Sequence, residues 1–353
     1  MSKAAICVVV PVYKAMATLD RCVESVLAQQ VEGGLTCILV DDGSPDESGA
    51  LCDAWAAKDG RVTVIHQDDL GVSGARNSGL AAADSEFIVF LDSDDALRPG
   101  ALQAALTAQR AAPQDFVVWH YTTDEKDPAA VTADAEPRTQ AGLARLWLDC
   151  LLAMPWNKLY RADLAKQLQF DVQYTLGEDL QFVLDYIALL GQTVPEFGYR
   201  VMTSPLTFYD CSRGGTLSTR YHANYCDIWP KHFAKLNTAC HAAACPAEDM
   251  RPLHRAELQV FAEGVADIMR RDPSPTQRLK GYKAEAALRS PWLRALLERM
   301  KIEHCYSAYY LPCRWRNVGL VCRLANARLT DSPLYGKLDW AGYYLLLGRM
   351  RRD

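Results

Sequence analysis

No run of eighteen uninterrupted apolar residues occurs in the 353-residue sequence, so no segment is predicted to span a bilayer. The apolar start, Ile6 to Val12, runs into Tyr13 and Lys14 with no small-residue cleavage site, and no secretory leader is expected. CxxC is absent too. Cys7, Cys22, Cys37, Cys52, Cys150, Cys211 and Cys226 each stand singly among apolar neighbours and read as reduced, buried thiols of a cytosolic protein. The first apolar run is followed by neither GxGxxG nor GxxxxGK[ST]; the chain there reads Pro11-Val-Tyr-Lys-Ala-Met-Ala17. Phosphate is therefore not expected to lie on glycine amides at that turn, and a metal would have to hold it.

Neither sign of charge dominates, since 38 basic and 43 acidic residues leave a net charge of −5. The distribution is uneven. Residues 289–353 hold twelve Lys or Arg against five acids, a local charge of +7, which points to an anionic partner. With 50% hydrophobic and 23% charged residues the composition is that of a folded protein, long enough for a domain of about 200 residues and a smaller one.

The first third alternates short apolar runs with helical patterns, as stacked βαβ units of a parallel sheet do. Strands are predicted at 6–12, 37–40, 62–65, 87–91 and 116–119. Leu19, Cys22, Val23, Val26 and Leu27 have the spacing of one helix face. Ser44-Pro-Asp-Glu47 has capping-box spacing with proline at the first helical position, so a helix is predicted from there to about Lys58. Further helices are predicted at 71–83, 99–109, 141–152 and 179–190. Residues 124–137 read as a solvated loop. Beyond Tyr221 the pattern is mostly helical, with breaks at Pro246, Asp272 to Pro275, Pro291 and Pro312. A boundary near 220 divides a catalytic domain, 1–220, from a helical region, 221–353.

Open parallel sheets bind ligands beyond the carboxyl ends of their strands. Here those ends carry Pro11-Val-Tyr13, Asp41-Asp-Gly-Ser44 and Asp92-Ser-Asp-Asp95. Asp-Asp-Gly alone is usually a turn. Three acids in four residues repel one another unless a cation sits among them, and hard oxygen donors suit Mg²⁺ or Mn²⁺.

Taken in order, Val10-Pro-Val-Tyr13, Val40-Asp-Asp-Gly-Ser44, Gly71-Val-Ser-Gly-Ala-Arg-Asn-Ser-Gly79, Asp92-Ser-Asp94, Trp156-Asn-Lys-Leu-Tyr160 and Gly177-Glu-Asp179 resemble the inverting family 2 glycosyltransferases over residues 4–220. The resemblance implies a GT-A fold: an α/β, mainly parallel sheet flanked by helices. It also implies a UDP-sugar donor and a saccharide or lipid-linked saccharide acceptor, of the kind that builds bacterial surface polysaccharide. Carried over residue by residue, Pro11 and Tyr13 would line the base pocket and Asp42 would accept from the uracil imide. Arg76 would lie near the uracil or diphosphate. Asp92 and Asp94 would form the metal-binding DxD pair, with Ser93 between them and Asp94 the direct ligand. Of Glu178 and Asp179, Asp179 would be the general base. Trp156 and Asn157 would wall the acceptor side, and Arg213 would close over the diphosphate from a glycine-containing loop. Two other readings compete. A sugar nucleotidyltransferase would need a lysine-bearing glycine loop after the first strand, and a non-catalytic binding relative is disfavoured by intact Asp92, Asp94 and Asp179.

The C-terminal stretch mixes Tyr306, Tyr309, Tyr310, Leu311, Trp315, Val318, Leu320, Val321 and Leu324 with Arg314, Arg316, Arg323 and Arg328. Such a segment either lies on an anionic bilayer, making the protein peripheral on the inner face of the membrane, or docks on its own catalytic domain. Nucleic acid is not expected, because no recognised binding module accompanies the charge.

Overall fold

The computed structural model describes residues 3–174, 176–212 and 221–330. The chain divides into two compact units, Met1–Gly214 and Gly215–Asp353.

In chain order the first unit comprises β1 (Ala4–Val12), α1 (Leu19–Leu27), β2 (Leu35–Asp42), α2 (Ser48–Lys58), β3 (Val62–Gln67), α3 (Gly71–Ala82), β4 (Ser85–Phe90), β5 (Ala96–Leu97) and α4 (Ala101–Ala111). There follow β6 (Phe116–Thr122), β7 (Ala135–Thr139), α5 (Leu143–Leu148), β8 (Lys158–Arg161), α6 (Ala162–Ala165), α7 (Glu178–Thr193) and β9 (Gly198–Phe208). Nine strands form one sheet in the order β3-β2-β1-β4-β8-β6-β9-β5, with β7 also on β9. The pairs among β1 to β4 are parallel, whereas β8 runs antiparallel to both β4 and β6.

β1 is apolar almost throughout because both of its faces are covered. Ile6, Val8, Val10 and Val12 pack in one cluster with Leu19, Cys22, Val23 and Val26 of α1 and Leu102 and Leu106 of α4. On the other face α3 comes so close that a Cβ on Gly79 would lie 2.3 Å from Val9 Cγ1. Only glycine permits that approach, which holds the preceding turn of α3, with Arg76, against the sheet's carboxyl edge.

Several boundaries differ from expectation. α2 starts at Ser48, because Ser44 is already engaged: its N–H donates to Asp41 Oδ1 (3.1 Å) and its hydroxyl accepts from the N–H of Lys14 (3.3 Å). The helix expected at 141–152 is a 3₁₀ turn followed by α5, which ends at Leu148. The end of the expected loop at 124–137 is the start of β7, an edge strand rich in polar residues. Cys7, Cys22, Cys37 and Cys52 are buried free thiols, but Cys150 and Cys211 are exposed and Cys226 is partly so, which corrects the reading that all seven are buried.

The second unit is helical in its described residues: α8 (Tyr225–Ala242), α9 (Ala247–Arg271), α10 (Gln277–Leu288), α11 (Pro291–Glu303), α12 (Tyr310–Arg314) and α13 (Val318–Leu329). Pro246 caps α9 and Pro291 opens α11, as expected, whereas Pro312 lies inside the short α12. Its core joins Leu258, Phe261 and Val265 of α9 to Leu288, Leu296, Met300 and Val321. Tyr306, Tyr309, Tyr310 and Leu324 belong to that core, so most aromatics expected at a membrane surface are spent on internal packing. Arg314 pairs with Glu298, and Arg328 with Glu263. Trp315 remains 63% exposed. Residues 331–353, with the last basic residues, lie outside the described part. None of the described helices is long and apolar enough to cross a membrane.

A polar network, mostly covered, runs through this unit. Buried His254 faces Glu303 Oε2 through Nδ1 at 2.6 Å and Asn237 Oδ1 through Nε2 at 3.1 Å, and the Asn237 amide donates to Glu257 Oε1 at 2.6 Å.

Candidate active site

The acids of the first unit gather where β4 and α7 approach α3. Past Phe90 the chain turns through Asp92, Ser93, Asp94 and Asp95, all but the last partly exposed. Glu178 and Asp179 open α7, whose cap Gly177 has φ +76°, a left-handed conformation that glycine accepts without strain. The helix N-terminus also favours carboxylates there.

Arg76 joins these two segments. Its Nη1 donates to Asp179 Oδ1 at 2.5 Å and its Nη2 to Asp92 Oδ1 at 2.8 Å. The guanidinium is 5.4 Å from the centre of the Phe170 ring, and Phe170 is itself tied to α3 by two hydrogen bonds of 2.8 Å with the Asn77 amide. Only 4% of the Arg76 side chain is exposed, whereas 29% of each acid remains open. A guanidinium shared by Asp92 and Asp179 is the cation of an acid cluster, and it lies beside the acidic turn. Burial pushes Asp179 up to about 7 against the pull of Arg76, with Glu178 and Asp92 adding to the rise.

Asp95 lies entirely buried behind the turn. Its Oδ1 accepts from the N–H of Asp210 at 3.0 Å and its Oδ2 has no hydrogen-bond partner. Burial, then the charges of Asp92 and Asp94, push it up to about 9. Hard oxygen donors crowded on one turn, with an orphaned carboxylate oxygen among them, fit Mg²⁺ or Mn²⁺.

At the end of β2, Asp42 Oδ1 accepts from Gln67 Nε2 (2.6 Å) and from the N–H of Leu70 (3.0 Å). Asp41 bonds His66 at 3.0 Å; burial would raise this acid, but hydrogen bonds from Ser44 and His66 hold it below its ordinary value. Pro11 is buried in β1, and Tyr13 beyond it is 44% exposed, as a stacking platform must be.

Trp156 and Asn157 fare differently. Trp156 is buried, stacked on Tyr209 at 5.4 Å and edge-on to Tyr121 at 5.3 Å. Asn157 is wholly buried; its amide donates to the carbonyls of Trp119 and Leu151, and its Oδ1 accepts from Lys158 Nζ. Asn157 therefore supports the wall from inside and offers no surface to an acceptor, a correction to its expected role. Lys158 is buried as well, its ammonium satisfied by Leu151 O, Met154 O and Asn157 Oδ1 and pushed well below its ordinary value by burial. Arg213 lies outside the described residues. Asn77, Phe170 and Asp210 were not singled out from the sequence. Asn77 lies within the Gly71–Gly79 motif and Phe170 follows the Trp156–Tyr160 one, but no spacing rule links Asp210 to the acidic turn.

The profile of the glycosyl transferase family 2 matches residues 7–169. Residues 7–169 therefore carry the glycosyl transferase family 2 pattern. The chain is 39% identical over 124 residues to the glycosyltransferase GlyG of Streptococcus pneumoniae, a match spanning 35% of this chain and 41% of that protein. It is 31% identical over 211 residues to the succinoglycan biosynthesis protein ExoO of Rhizobium meliloti, spanning 54% and 58%. The chain thus spans about half the length of these relatives. Residues 1–349 of S. aureus TarS, crystallised with UDP-GlcNAc, share the fold with a TM-score of 0.60 at 16% identity, covering 93% of this chain and 92% of that one. The mannosyltransferase PcManGT of Pyrobaculum calidifontis, solved with GDP-Man and Mn²⁺, superposes at 0.50 and 16% identity, covering 90% and 88%. The family 2 unit accordingly has the mixed, mainly parallel GT-A sheet flanked by helices.

Proposed function

We propose that the family 2 unit transfers a sugar from a UDP-sugar to a hydroxyl of a saccharide or lipid-linked saccharide, inverting the anomeric centre, in the synthesis of a cell-surface polysaccharide. The observation that carries this reading is the meeting of Asp92 and Asp179 on one guanidinium, Arg76, at the carboxyl edge of the sheet. A transfer with inversion needs a leaving-group site and a base at one place, and these acids come from two segments that only the fold brings together.

Asp179 takes the proton of the acceptor hydroxyl as that oxygen attacks the anomeric carbon. A carboxyl raised to about 7 suits this, being basic enough to accept a proton and largely ionised just above neutrality. Arg76 keeps Asp179 oriented and joined to the acidic turn, and Glu178 lies beside it. Tyr13 and Pro11 pack the uracil, and Asp42 accepts from its imide N–H. Asp94, with Asp92 beside it, would hold Mn²⁺ or Mg²⁺, whose chemistry is to neutralise the departing diphosphate. Ser93 keeps the two acids on one turn, Arg213 adds positive charge to the diphosphate, and Trp156 backs the acceptor side. The UDP-GlcNAc bound by TarS and the Mn²⁺ of PcManGT support the donor class and the ion, and the succinoglycan relative supports a polysaccharide product.

The basic surface beyond residue 289, with Trp315 exposed on it, meets the anionic inner face of the membrane, where lipid-linked acceptors reside. Binding to anionic vesicles that weakens with salt is expected, and salt-independent solubility without vesicle binding would remove this part of the reading. The central test is a panel of UDP-, GDP- and dTDP-sugars scored for Mn²⁺-dependent thermal stabilisation and slow hydrolysis. UDP-sugars should stabilise the protein only with the metal. A protein indifferent to every nucleotide sugar would overturn the proposal.

A further inference from the structure

The acidic turn is held in shape by a helix that carries none of the recognised motifs. Arg21, Ser25 and Gln29 follow one another at four-residue intervals along the same side of α1 and its C-terminal extension. Gln29 donates to the carbonyl of Arg98 at 3.0 Å and accepts from the N–H of Leu102 at 3.2 Å. Ser25 Oγ accepts from the N–H of Leu97 at 2.9 Å. Between them these two side chains fix the base of the turn. Arg21 reaches its tip, where Nη2 donates both to the carbonyl oxygen of Asp94 (2.5 Å) and to Asp210 Oδ2 (2.7 Å). Its guanidinium lies 5.0 Å from the centre of the Phe208 ring, and Glu125 stands 3.7 Å from Nη1. On the far side the turn meets the same neighbour again, through Asp95 Oδ1 and the Asp210 N–H.

Remove the guanidinium, and the bridge from the Asp94 carbonyl to Asp210 Oδ2 is lost, while Asp210 Oδ1 keeps its bonds from Ser212. Asp92, Asp94 and Asp95 already crowd that turn with like charge. The Asp95 N–H still donates to the Asp92 carbonyl (3.0 Å) and Asp95 Oδ1 still accepts from the Asp210 N–H (3.0 Å), but the tip of the turn loses the cation that ties it to the Asp210 carboxylate. From this we infer that Arg21 is a positioning residue of the transfer reaction, clamping the Asp92–Asp95 turn to Asp210 and thereby setting how tightly the donor's diphosphate is held. The inference rests on the reading of the acidic turn as the diphosphate site.

The test is calorimetric titration of UDP into the full chain with Mn²⁺, alongside the melting midpoint of each protein without ligand. Arg21→Ala should bind UDP at least 10-fold more weakly than wild type, and Arg21→Lys, which keeps a charged donor, should recover most of the loss. Asp210→Ala should weaken binding similarly, and the double variant should be no worse than the weaker single one, as a shared clamp requires. Ligand-free midpoints should stay within a few degrees of wild type. The inference fails if Arg21→Ala binds UDP as wild type does. It fails equally if the loss tracks a large fall in midpoint that lysine does not repair, since Arg21 would then serve the fold alone. Wild-type protein that ignores UDP would instead end the reading of the site itself.

Discussion

Each unit buries a cluster of charged and polar side chains, yet the two clusters differ in what they leave open. In the helical unit His254, Glu257 and Asn237 are almost completely covered, and one acid, Glu303, keeps 29% of its side chain exposed. In the family 2 unit the cation is buried but its acids are not, for Asp92 and Asp179 each keep more than a quarter of the side chain exposed. Burial of charge therefore does not by itself mark a reactive site. What sets the family 2 cluster apart is one buried guanidinium shared by two carboxylates from different segments, both of them partly open. A mostly covered network can specify packing; one with both acids open can also meet a ligand.

The sharpest way to break this comparison is to neutralise the open cluster's base. Asp179→Asn is expected to lower transfer by roughly 10³-fold while Mn²⁺-dependent UDP affinity survives, as initial rates and titration would reveal. Retained turnover would take Asp179 out of its role. Next comes the shared cation. Arg76→Gln leaves two carboxylates facing each other at a desolvated spot and should cost about 3–5 kcal/mol of stability in denaturant unfolding. In the wild type the rate should fall as pH drops through about 7, because protonated Asp179 cannot accept a proton. Arg76 opposes that protonation, so in any Arg76→Gln protein that folds the acid limb should move to higher pH.

The smallest effect belongs to the mostly covered cluster. Burial pushes Glu257 up to about 8 from its ordinary 4.5, so the folded state binds its proton more tightly than the unfolded chain does. Its contribution to stability is present below about 4.5 and is lost as pH rises through 8. Glu257→Gln, which still accepts from Asn237, should match wild type near pH 5 and exceed it above pH 8 by on the order of 1 kcal/mol, with turnover per folded molecule unchanged.

The same contrast governs how much could be read from the chain. β1, β2 and β4 were plain because parallel strands covered on both faces are continuous apolar runs, and their acidic ends stood out against them. β8 and β9 were not singled out as strands. β8 has four residues and opens with a buried lysine, satisfied by the carbonyls of Leu151 and Met154 in the irregular segment just before it, so no apolar run announces the strand. The acids and Arg76 were legible as residues, but their pairing was not: Arg76 lies 16 positions from Asp92 and 103 from Asp179. Asn157 misled for the opposite reason, since a polar residue inside a recognised motif looked exposed and proved to be a buried brace.

One imino acid deserves a last consequence. Val9 accepts from the N–H of Leu91, so every second residue of β1 turns its main chain toward β4, and Pro11 is the next in that series. Lacking a hydrogen to donate, it cannot extend the ladder on that side, while pairing with β2 continues to Val12. The two strands are thus unstitched just where the acidic turn begins. The gap there comes from a missing donor rather than from a bulky wedge, and an ordinary residue at position 11 would offer an N–H toward β4 just short of the acidic turn.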